Sequence, residues 1–424
     1  MTIRSLYTFL FRALLPLVLL RLYWRGRRAP LYRQRWRERL GWYPEMPEQS
    51  VLWLHAVSVG EAEAAFPLIR LLQQRYPAVR LLVTTTTPTG SERVKAVLGD
   101  SVSHVYLPYD LPEVVERFLV QFQPCLAIFM EKEIWPNLLA ALAARAVPVY
   151  VINARLSARS ARAYQRIPGL IRPALAHIRL IATQTQADRQ QFLAIGATPE
   201  QLAVLGNIKF DLQINDDVLQ QGRLLKQHWG ERFVWIIAST HQGEEALLLA
   251  HYPALKEQVS NLLVVVAPRH PERFVSVGEW CQKQGLQVVT RSSGLAVTAA
   301  CDVYLADSMG ELKMLYAAAD VAFVGGSLVD VGGHNVLEPA AAGVPVLFGP
   351  VMFNFQAIAE QMLVRQAAVS CRDAEAVAEA VRQLAVNPLA RQQLIDNARV
   401  FLEANQGAIE RIAELFAPVL GKLE

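Results

Sequence analysis

The sequence predicts an α/β protein with two halves of similar size, each a parallel β-sheet covered by helices on both faces. The main observation is that short apolar runs alternate with amphipathic stretches of helical period from residue 51 to residue 348. The alternation loosens once, at residues 206–218, where polar residues predict a linker between two domains. A length of 424 residues is sufficient for two or three domains, each with its own core.

The predicted elements place most of the chemically informative residues directly after strands. In the first half, strands are predicted at 51–55, 80–85, 103–107, 126–130, 147–152 and 180–183, and clear helices at 61–74 and 136–146. In the second half, strands are predicted at 233–238, 262–267, 287–290, 303–305, 321–324 and 344–348. Open parallel sheets bind ligands at the carboxyl ends of their strands. We therefore expect the functional sites there.

The charge distribution argues against a general nucleic-acid binder. Residues 21–39 contain eight arginines and one acidic residue, Glu38, so this stretch has a charge of +7. Because the whole chain has a net charge of +4, the remainder has a charge of −3. A protein that binds nucleic acid over a broad surface would spread its basic residues differently. The four cysteines are far apart, with no CxxC spacing, and predict reduced and mostly buried thiols. No Asp-x-Asp triplet offers ligands for a divalent metal bound to a nucleotide.

The N-terminus predicts a membrane-associated segment. Residues 6–23 are mostly apolar but contain Arg12 and Pro16, and the basic block follows directly. A cleaved signal peptide does not fit, because no small-residue cleavage site follows and the arginines lie on the wrong side of the apolar run. A spanning anchor and an interfacial helix both remain open. Either one places the body of the protein on the cytoplasmic face, with the arginines near anionic headgroups.

A glycine-rich loop between two predicted strands indicates a nucleotide site. Residues 323–350 read FVGGSLVDVGGHNVLEPAAAGVPVLFGP, with four glycines between a strand and a predicted helix over residues 335–342. Glycines let the backbone approach a ligand closely, and backbone N–H groups at a helix start can face a phosphate. Glu338, in the first turn of that helix, can hold a ribose hydroxyl. The alternative is that these glycines only form tight turns beside the sheet.

Three further groups of charged residues follow strands or lie at the linker. Ser58-x-x-Glu61 is a capping box, yet Glu61 also lies where a carboxylate could take a proton from an attacking hydroxyl, and the sequence supports both roles equally. Glu131 lies nearest the end of the fourth strand, whereas a solvated loop position suits Glu133 better. Lys209, at the linker, could neutralise a phosphate or a carboxylate.

The second half contains two more candidate groups. Arg269 and His270 stand between two prolines after a strand. These residues could form a plain surface turn, but the planar guanidinium of Arg269 suits phosphate, and we favour the binding role. Ser308-x-x-Glu311 is a second capping box at a predicted helix start, where free N–H groups could also face the site. His334 has no partner at metal-ligand spacing, so we interpret it as a loop or hydrogen-bonding residue.

With these motifs in hand, the chain resembles the 3-deoxy-D-manno-octulosonic acid (Kdo) transferases of Gram-negative bacteria over nearly its whole length. The resemblance rests on HAVSVGEAEAA, TTTTPTGSERV, HVYLPYDLP, MEKEIWPN, NARLS, GNIKFD, APRHPERF, DSMGEL and GGSLVDVGGHNVLEPA. It implies a GT-B fold of two Rossmann-like domains with a central interdomain cleft. It also implies transfer of Kdo from CMP-Kdo to a lipid A precursor at the inner membrane, with no metal and no other cofactor.

Carried over residue by residue, the resemblance assigns roles within this chain. It makes Glu61 the general base, and Glu131 and Lys209 the groups that stabilise the transition state. It assigns the CMP contacts to Pro268, Arg269, Met309, Gly310, Glu311, Asn335, Val336, Leu337 and Glu338. The implied organisation is a membrane segment at 1–24, an acceptor domain at 25–210, a CMP-sugar domain at 211–387 and C-terminal helices at 388–424.

Two alternatives stay open at this point. A GT-B enzyme that uses a UDP-sugar, either a transferase or an epimerase, would carry the same glycine loop and Glu338. A membrane-bound lipid-binding protein without catalytic activity would share the N-terminus. It would not require Glu61, Arg269 and a nucleotide loop in the same chain.

Overall fold

The computed structural model describes residues 2–44 and 50–421, with the side chain of Arg28 left aside. Contacts divide the chain into two units, Met1–Asp211 with Gln406–Glu424, and Leu212–Asn405. In the described residues each unit holds a seven-stranded sheet, and all strand pairs are parallel. The predicted α/β class with two parallel sheets is therefore confirmed.

The first unit alternates strands and helices from residue 51 onward. Its strands are β1 Val51–His55, β2 Arg80–Thr85, β3 Ser103–Tyr106, β4 Pro124–Met130, β5 Val149–Ala154, β6 Leu180–Thr183 and β7 Leu202–Val204. Its first eight helices are α1 Ile3–Arg28, α2 Val59–Arg75, α3 Pro88–Leu98, α4 Pro112–Phe122, α5 Pro136–Ala144, α6 Ala158–Gln165, α7 Pro168–Leu175 and α8 Gln186–Ile195.

The second unit repeats the pattern with shorter helices. Its strands are β8 Phe233–Thr240, β9 Leu262–Pro268, β10 Val288–Thr290, β11 Val303–Leu305, β12 Val321–Val324, β13 Val346–Phe348 and β14 Val369–Ser370. Its helices are α9 Asp216–His228, α10 Glu244–Leu249, α11 Tyr252–Gln258, α12 Phe274–Lys283, α13 Leu312–Ala317, α14 Leu337–Ala341, α15 Gln356–Val364, α16 Ala374–Val386 and α17 Pro388–Asn405. The chain then returns to the first unit with α18 Ala408–Glu414 and α19 Ala417–Leu420.

The strand order creates one reversal point in each sheet. The first sheet runs β3-β2-β1-β4-β5-β6-β7, so the chain changes direction between β1 and β4. The second runs β10-β11-β9-β8-β12-β13-β14, with the reversal between β8 and β12. Loops on either side of such a reversal leave the sheet in opposite directions and open a crevice at the carboxyl ends of the strands. Of the predicted sites, Glu61 follows β1, Glu131 follows β4 and the glycine loop follows β12.

Both sheets are apolar on both faces, as expected of parallel sheets covered by helices. In the first unit, Trp53 and Phe129 point into one core layer, while Leu54 and Ile128 point into the other. All four side chains are buried. Helices α18 and α19 contribute Ile412 and Phe416 to the second layer, so the end of the chain completes the core of the first unit.

Several predicted boundaries shift by a few residues. The strand predicted at 147–152 runs from Val149 to Ala154, and the one predicted at 344–348 begins at Val346. The edge strands β7 and β14 were not predicted, because they are only two or three residues long and partly exposed. The helix predicted from Asn335 begins at Leu337 and ends at Ala341. Within the predicted linker, a short 3-10 turn Ile208–Asp211 carries Lys209.

Helix α1 is attached to the first unit by polar contacts along its first three turns. The Tyr7 hydroxyl donates to the Asp110 carboxylate at 3.0 Å, and the Asn137 amide donates to the Thr8 hydroxyl at 2.9 Å. Arg12 forms an ion pair with Glu113 at 2.8 Å. The remainder of the helix exposes large apolar side chains, including Leu17 and Trp24. Residues 3–27 are long and apolar enough to cross a membrane, which is weak support for a span.

Candidate functional site

The end of β1 carries Glu61 in the first turn of α2. Ser58 caps the helix and accepts from the Glu61 backbone N–H at 3.4 Å, while the Glu61 carboxylate accepts from the Val57 N–H at 2.8 Å. The predicted capping role of Glu61 is therefore real, although its carboxylate accepts from the backbone N–H of Val57 rather than from that of Ser58. The bond to Val57 uses one carboxylate oxygen, Oε2. The other oxygen has only a long contact of 3.4 Å with the Ser58 hydroxyl.

The pKa of Glu61 is raised to about 7, chiefly because the side chain is largely buried. The hydrogen bond from Val57 opposes this shift, and the carboxylates of Glu131 and Glu133 add to it. Burial disfavours the charged form of an acid, and nearby like charges act in the same direction. A carboxylate with a pKa near neutrality can take a proton and release it again, which is what general base catalysis requires.

Glu131 and Lys209 lie in the same electrostatic environment as Glu61. The side chain of Glu131, directly after β4, lies 3.9 Å from the guanidinium of Arg155, which follows β5. The pKa of Lys209 is lowered by burial, while the charges of Glu131 and Glu61 act to raise it and that of Arg155 to lower it. The three predicted residues of the first unit, Glu61, Glu131 and Lys209, thus interact electrostatically with one another.

Asn153 anchors the turn that carries Lys209. Its side-chain oxygen accepts from the Ile208 N–H at 3.2 Å, and its own backbone is left-handed with φ 50°. The amide nitrogen of Asn153 is buried and has no hydrogen-bond partner among the described residues. In the sequence, residues 153–157 form the motif NARLS of the family resemblance, to which no role was assigned. The structure shows that Asn153 connects β5 to the turn at Lys209.

His55 and Glu133 approach each other at the carboxyl ends of β1 and β4. His55 is fully buried at the end of β1, with Nδ1 bound to Thr84 and Nε2 without a hydrogen-bond partner among the described residues. Glu133 lies 3.9 Å from that Nε2 and accepts from the Trp135 indole at 2.9 Å. Burial lowers the pKa of His55 to about 3, so the imidazole is neutral. Glu133 was expected to be a solvated loop residue, and this is wrong because its side chain is only 18% exposed.

The glycine loop of the second unit surrounds a buried carboxylate, Glu244. Four backbone N–H groups donate to it, those of His241, Gly326, Ser327 and Leu328, at 2.7 to 3.1 Å. The N–H groups of Gly332 and Gly333 donate to the carbonyl of Gly326. The prediction that this loop turns its glycine amides toward a phosphate is therefore wrong for these residues. They hold the loop together around Glu244, which the sequence analysis missed.

Glycine is nevertheless required in this loop for steric reasons. A Cβ on Gly325 would lie 2.6 Å from the carbonyl oxygen of Ser239, so β12 and the end of β8 approach more closely than alanine permits. Gly326 has φ +67°, and a Cβ there would lie 3.3 Å from the ring of His334. The loop is therefore built so that His334 can lie against its backbone.

Three histidines and a free arginine gather beside this loop. The Nε2 atoms of His241 and His334 are 2.8 Å apart, and their rings are nearly parallel and meet edge to edge, with centroids 5.1 Å apart. His270 lies edge-on to His241 at 5.3 Å. Arg269 is exposed and has no ion-pair partner among the described residues. Burial lowers the pKa of His334 to about 4, with Arg269 adding to that shift. The expectation of a hydrogen-bonding role for His334 is thus confirmed.

The segment around Glu311 differs from the predicted capping box. Helix α13 begins at Leu312, so Glu311 occupies the capping position itself, and Ser308 makes no cap bond to the helix backbone. Ser308 instead donates to the Glu311 carboxylate, which also accepts two bonds from Arg291 at 2.8 and 3.0 Å. These bonds lower the pKa of Glu311. The neighbouring Met309 is an exposed apolar side chain, and Gly310 has φ +85°.

The residues at the start of α14 are partly buried polar groups and fully buried apolar ones. Asn335 accepts from the Leu337 N–H at 3.1 Å, which makes a turn into the helix. Val336 and Leu337 are fully buried, main chain included. Glu338 is partly buried, and its charge adds to burial in raising the pKa of Tyr316. Pro268 is buried at the end of β9, where it orients Arg269.

The basic block is less available than the sequence suggested. Arg35 forms two bonds to Glu38, at 2.6 and 2.9 Å, and a third to the carbonyl of His104. Arg39 is buried, donates to the carbonyl of Thr86 and lies over the ring of Tyr106. These two arginines attach residues 36–40 to the first sheet; Arg39 is buried, and 27% of the Arg35 side chain is exposed. Among the described side chains, Arg21, Arg25, Arg27, Arg33 and Arg37 remain exposed.

Comparisons with known proteins point to one family. Residues 34–212 match the family model of 3-deoxy-D-manno-octulosonic-acid transferases (kdotransferases), and residues 241–401 match the model of group 1 glycosyl transferases. A 3-deoxy-D-manno-octulosonic acid transferase of Haemophilus influenzae is 42% identical over 421 residues, 98% of this chain and 99% of that relative. A transferase of the same description from Bordetella pertussis is 36% identical over 431 residues, 99% of this chain and 100% of that relative.

One solved structure extends the comparison to the fold. A glycosyltransferase from Rickettsia africae aligns with a TM-score of 0.55 at 11% identity, covering 88% of this chain and 99% of that one. At that identity the likeness concerns the fold alone. Among the described residues, no group of three or more histidine, cysteine or acidic side chains could hold a metal ion.

Proposed function

The chain belongs to the family of 3-deoxy-D-manno-octulosonic acid transferases and is a glycosyltransferase of the GT-B fold, and from this premise we propose its donor, acceptor and base. The donor is CMP-Kdo, the acceptor is a lipid A precursor, and Glu61 removes the proton from the acceptor hydroxyl. The observation that carries the proposal is the electrostatic grouping of Glu61 with Glu131 and Lys209 at the reversal point of the first sheet.

The proposal assigns proton removal to the first unit. Glu61 takes the proton as the hydroxyl oxygen of the acceptor forms a bond to the anomeric carbon of Kdo. The bond from that carbon to the phosphate oxygen of CMP breaks, and CMP leaves with the electron pair. A single displacement of this kind inverts the anomeric centre. Lys209 and Glu131 lie near enough to interact with Glu61, and we assign them the stabilisation of charge during the displacement.

The proposal assigns donor binding to the second unit. Arg269 is an exposed guanidinium with no carboxylate paired to it in the described part of the chain, which suits the phosphate of CMP. Met309 offers an exposed apolar contact for a base, and Gly310 leaves the backbone beside it open. Glu338 would hold ribose hydroxyls together with Asn335, and the fully buried Val336 and Leu337 would fix the turn between these two residues. Glu311 can contribute only through lone pairs that Arg291 and Ser308 leave unused.

We place the protein at the membrane surface rather than across the bilayer. Polar contacts hold α1 to the first unit as far as Arg12, so only residues 13–28 extend beyond them. These 16 residues have a helical length of about 24 Å, which is shorter than the hydrocarbon core of about 30 Å. An interfacial helix with exposed leucines, Trp24 and nearby arginines fits these dimensions.

The test of the proposed chemistry is Glu61→Gln in purified full-length protein, with CMP-Kdo and a lipid A precursor as substrates. Glutamine can still accept from the Val57 N–H but cannot take a proton. We expect unchanged folding and a loss of turnover of at least about a hundredfold. Glu63→Gln is the matched control, because Glu63 lies on the same helix and pairs with Arg93 at the surface. Turnover of Glu61→Gln near that of wild type would remove Glu61 as the base.

The donor is tested separately with a panel of CMP- and UDP-sugars, and the lipid product is weighed by mass spectrometry. Transfer from CMP-Kdo with a mass increase of one or more Kdo residues supports the proposal. Preference for a uridine donor would favour the UDP-sugar alternative instead. The number of added Kdo residues is read from the same spectrum.

A further inference from the structure

The strongest unassigned feature of the second unit is the histidine pair His241–His334. A separation of 2.8 Å between two Nε2 atoms requires a hydrogen bond, so one imidazole donates its N–H and the other accepts with its lone pair. The two rings must then be opposite tautomers, with the proton on Nε2 in one and on Nδ1 in the other. Such a pair can take up one more proton, on the free Nδ1 of the ring that donates, and keep its Nε2–H···Nε2 hydrogen bond without any movement of the side chains.

The charged groups around the His241–His334 pair that have no carboxylate bound to them are basic. His241 follows β8 and meets Glu244 of α10, His270 and Arg269 after β9, and Arg273 before α12. Glu244 is saturated by four backbone amides, and Glu245 is bound to Arg273 at 2.8 Å. His334 faces Arg269, His241 and His270. The acids are thus engaged within the loop, while Arg269 and the imidazoles remain for a ligand.

This arrangement is built into the loop rather than left to a mobile surface. Helix α10, with Glu244 in its first turn, fixes the backbone at His241 and at residues 326–328. Gly326 provides the room in which the His334 ring lies. The shared carboxylate ties the two histidine-bearing loops to one another. A structure that keeps two imidazoles in contact beside an unpaired guanidinium is suited to an anion.

We propose that His241 and His334 form a proton-sharing pair that receives an anionic group of the nucleotide-linked donor, and that the pair takes up one proton when this anion binds. The proton comes from solvent and converts the neutral pair into a monocation. The inference rests on the proposed function insofar as the ligand is a nucleotide-linked sugar acid, whose phosphate and carboxylate are the anions offered. In the bound state the protonated pair supplies a positive charge in addition to the permanent charge of Arg269. This second charge is absent in the free protein.

Two consequences follow for the free and bound states. In the free protein, burial and the charges of Arg269 and His270 keep the pair neutral, because they lower the pKa of both imidazoles. A bound anion offsets those charges and favours the protonated pair. Binding of the donor then strengthens as the pH falls, in the range where the free pair is neutral and the bound pair is charged.

The experiment is isothermal titration calorimetry of the full-length protein with CMP, in buffers of different ionisation enthalpy at pH 6 to 8. The variants are His334→Gln and His241→Gln, which keep a hydrogen-bonding amide but cannot titrate. His228→Gln is the matched control, because His228 is an exposed histidine at the end of α9 in the same unit. Thermal unfolding of each variant checks that the loop still folds.

We expect wild type and His228→Gln to take up a proton on binding CMP, and each pair variant to lose this uptake and bind at least about tenfold more weakly. If a folded His334→Gln and a folded His241→Gln bind CMP with wild-type affinity and proton uptake, the inference is overturned while the Kdo transfer stands. If only uridine nucleotides bind, with the same dependence on the pair, the donor proposal falls and the anion site remains. Kdo transfer by a wild-type protein that takes up no measurable proton on binding CMP would also overturn the inference about the pair, while the proposed function would stand.

Discussion

Three residues other than glycine adopt left-handed backbone next to the candidate sites. They are Glu131 with φ 60°, Asn153 with φ 50° and Ser239 with φ 55°. Residues other than glycine rarely take this backbone conformation, which costs on the order of 1–3 kcal/mol at each position. Glu131 follows β4, and Ser239 lies near the end of β8, so two of the three are at the reversal points of the sheets. The backbone strain thus coincides with the ends of strands where the charged groups are placed.

The pH dependence of transfer is set by Glu61 if it is the base. A base acts when it is ionised, and the ionised fraction of Glu61 rises as the pH passes upward through its pKa of about 7. We therefore expect kcat to fall on the acid side with a midpoint near that value. Replacement of Glu133 by Gln should move this midpoint to lower pH by less than about one unit, because Glu133 adds to the raised pKa of Glu61.

The amide in Glu133→Gln still accepts from the Trp135 indole, so the loop is expected to keep its position. The measurement is the pH profile of kcat for wild type and Glu133→Gln, with Glu116→Gln as the control. Glu116 is a more exposed residue that pairs with Arg145. A profile whose acid limb stays in place in Glu133→Gln would show that Glu133 has only a structural role.

At the scale of elements, the glycine loop depends on one carboxylate from α10. Glu244 is fully buried and accepts from four backbone N–H groups of two loops. Glutamine has one oxygen and would turn its own N–H groups toward some of those donors. We expect Glu244→Gln to lower the free energy of unfolding by about 2–4 kcal/mol, since hydrogen bonds to a buried charge are lost. Chemical denaturation of the full chain provides the measurement.

The control for this prediction is Glu279→Gln, an exposed residue of α12 in the same unit. That substitution should change the free energy of unfolding by less than about 0.5 kcal/mol. Equal stability of Glu244→Gln and wild type would mean that the four amides find other partners. It would also remove the support for the loop geometry on which the His241–His334 pair depends.

The elements show which parts of the structure were predictable from the sequence. Long apolar runs such as β1, β8 and β9 have no competing interpretation, and their predicted positions were right to within two residues. Edge strands β7 and β14 are too short to give a periodic pattern. The boundary at Asn335 failed because an Asx-type bond from its side chain to the Leu337 N–H forms a turn before the helix.

The sites were predictable where a residue directly follows a strand, and not where partners come from distant segments. Glu61 and Glu131 were placed correctly at strand ends, because parallel strands align their carboxyl ends at one edge. The role of Glu244 was missed, since its partners at residues 326–328 are more than 80 residues away. The only local signal was a Gly-Glu-Glu sequence after a buried strand, GEE at 243–245.

For the molecule as a whole, the attachment of α1 bears on how the enzyme would reach the proposed lipid acceptor. The first three turns contact the first unit, and the exposed apolar side chains beyond them include Leu17, Leu20 and Trp24. Burial of each such side chain in the bilayer interface contributes about 1.5–3 kcal/mol. The exposed arginines nearby add about 1 kcal/mol each on an anionic surface, and salt weakens that part.

We therefore expect full-length protein to bind vesicles that contain anionic lipid, and Leu17→Asp with Trp24→Ser to reduce that binding by at least about tenfold. Val120→Asp serves as the control, because Val120 is an equally exposed apolar residue that belongs to α4 and not to α1. An interfacial helix is released from membranes by alkaline carbonate, whereas a spanning helix requires detergent. Protein that stays in the pellet after carbonate treatment would contradict the surface placement, and would require the polar contacts of Tyr7, Thr8 and Arg12 with the first unit to open in the membrane.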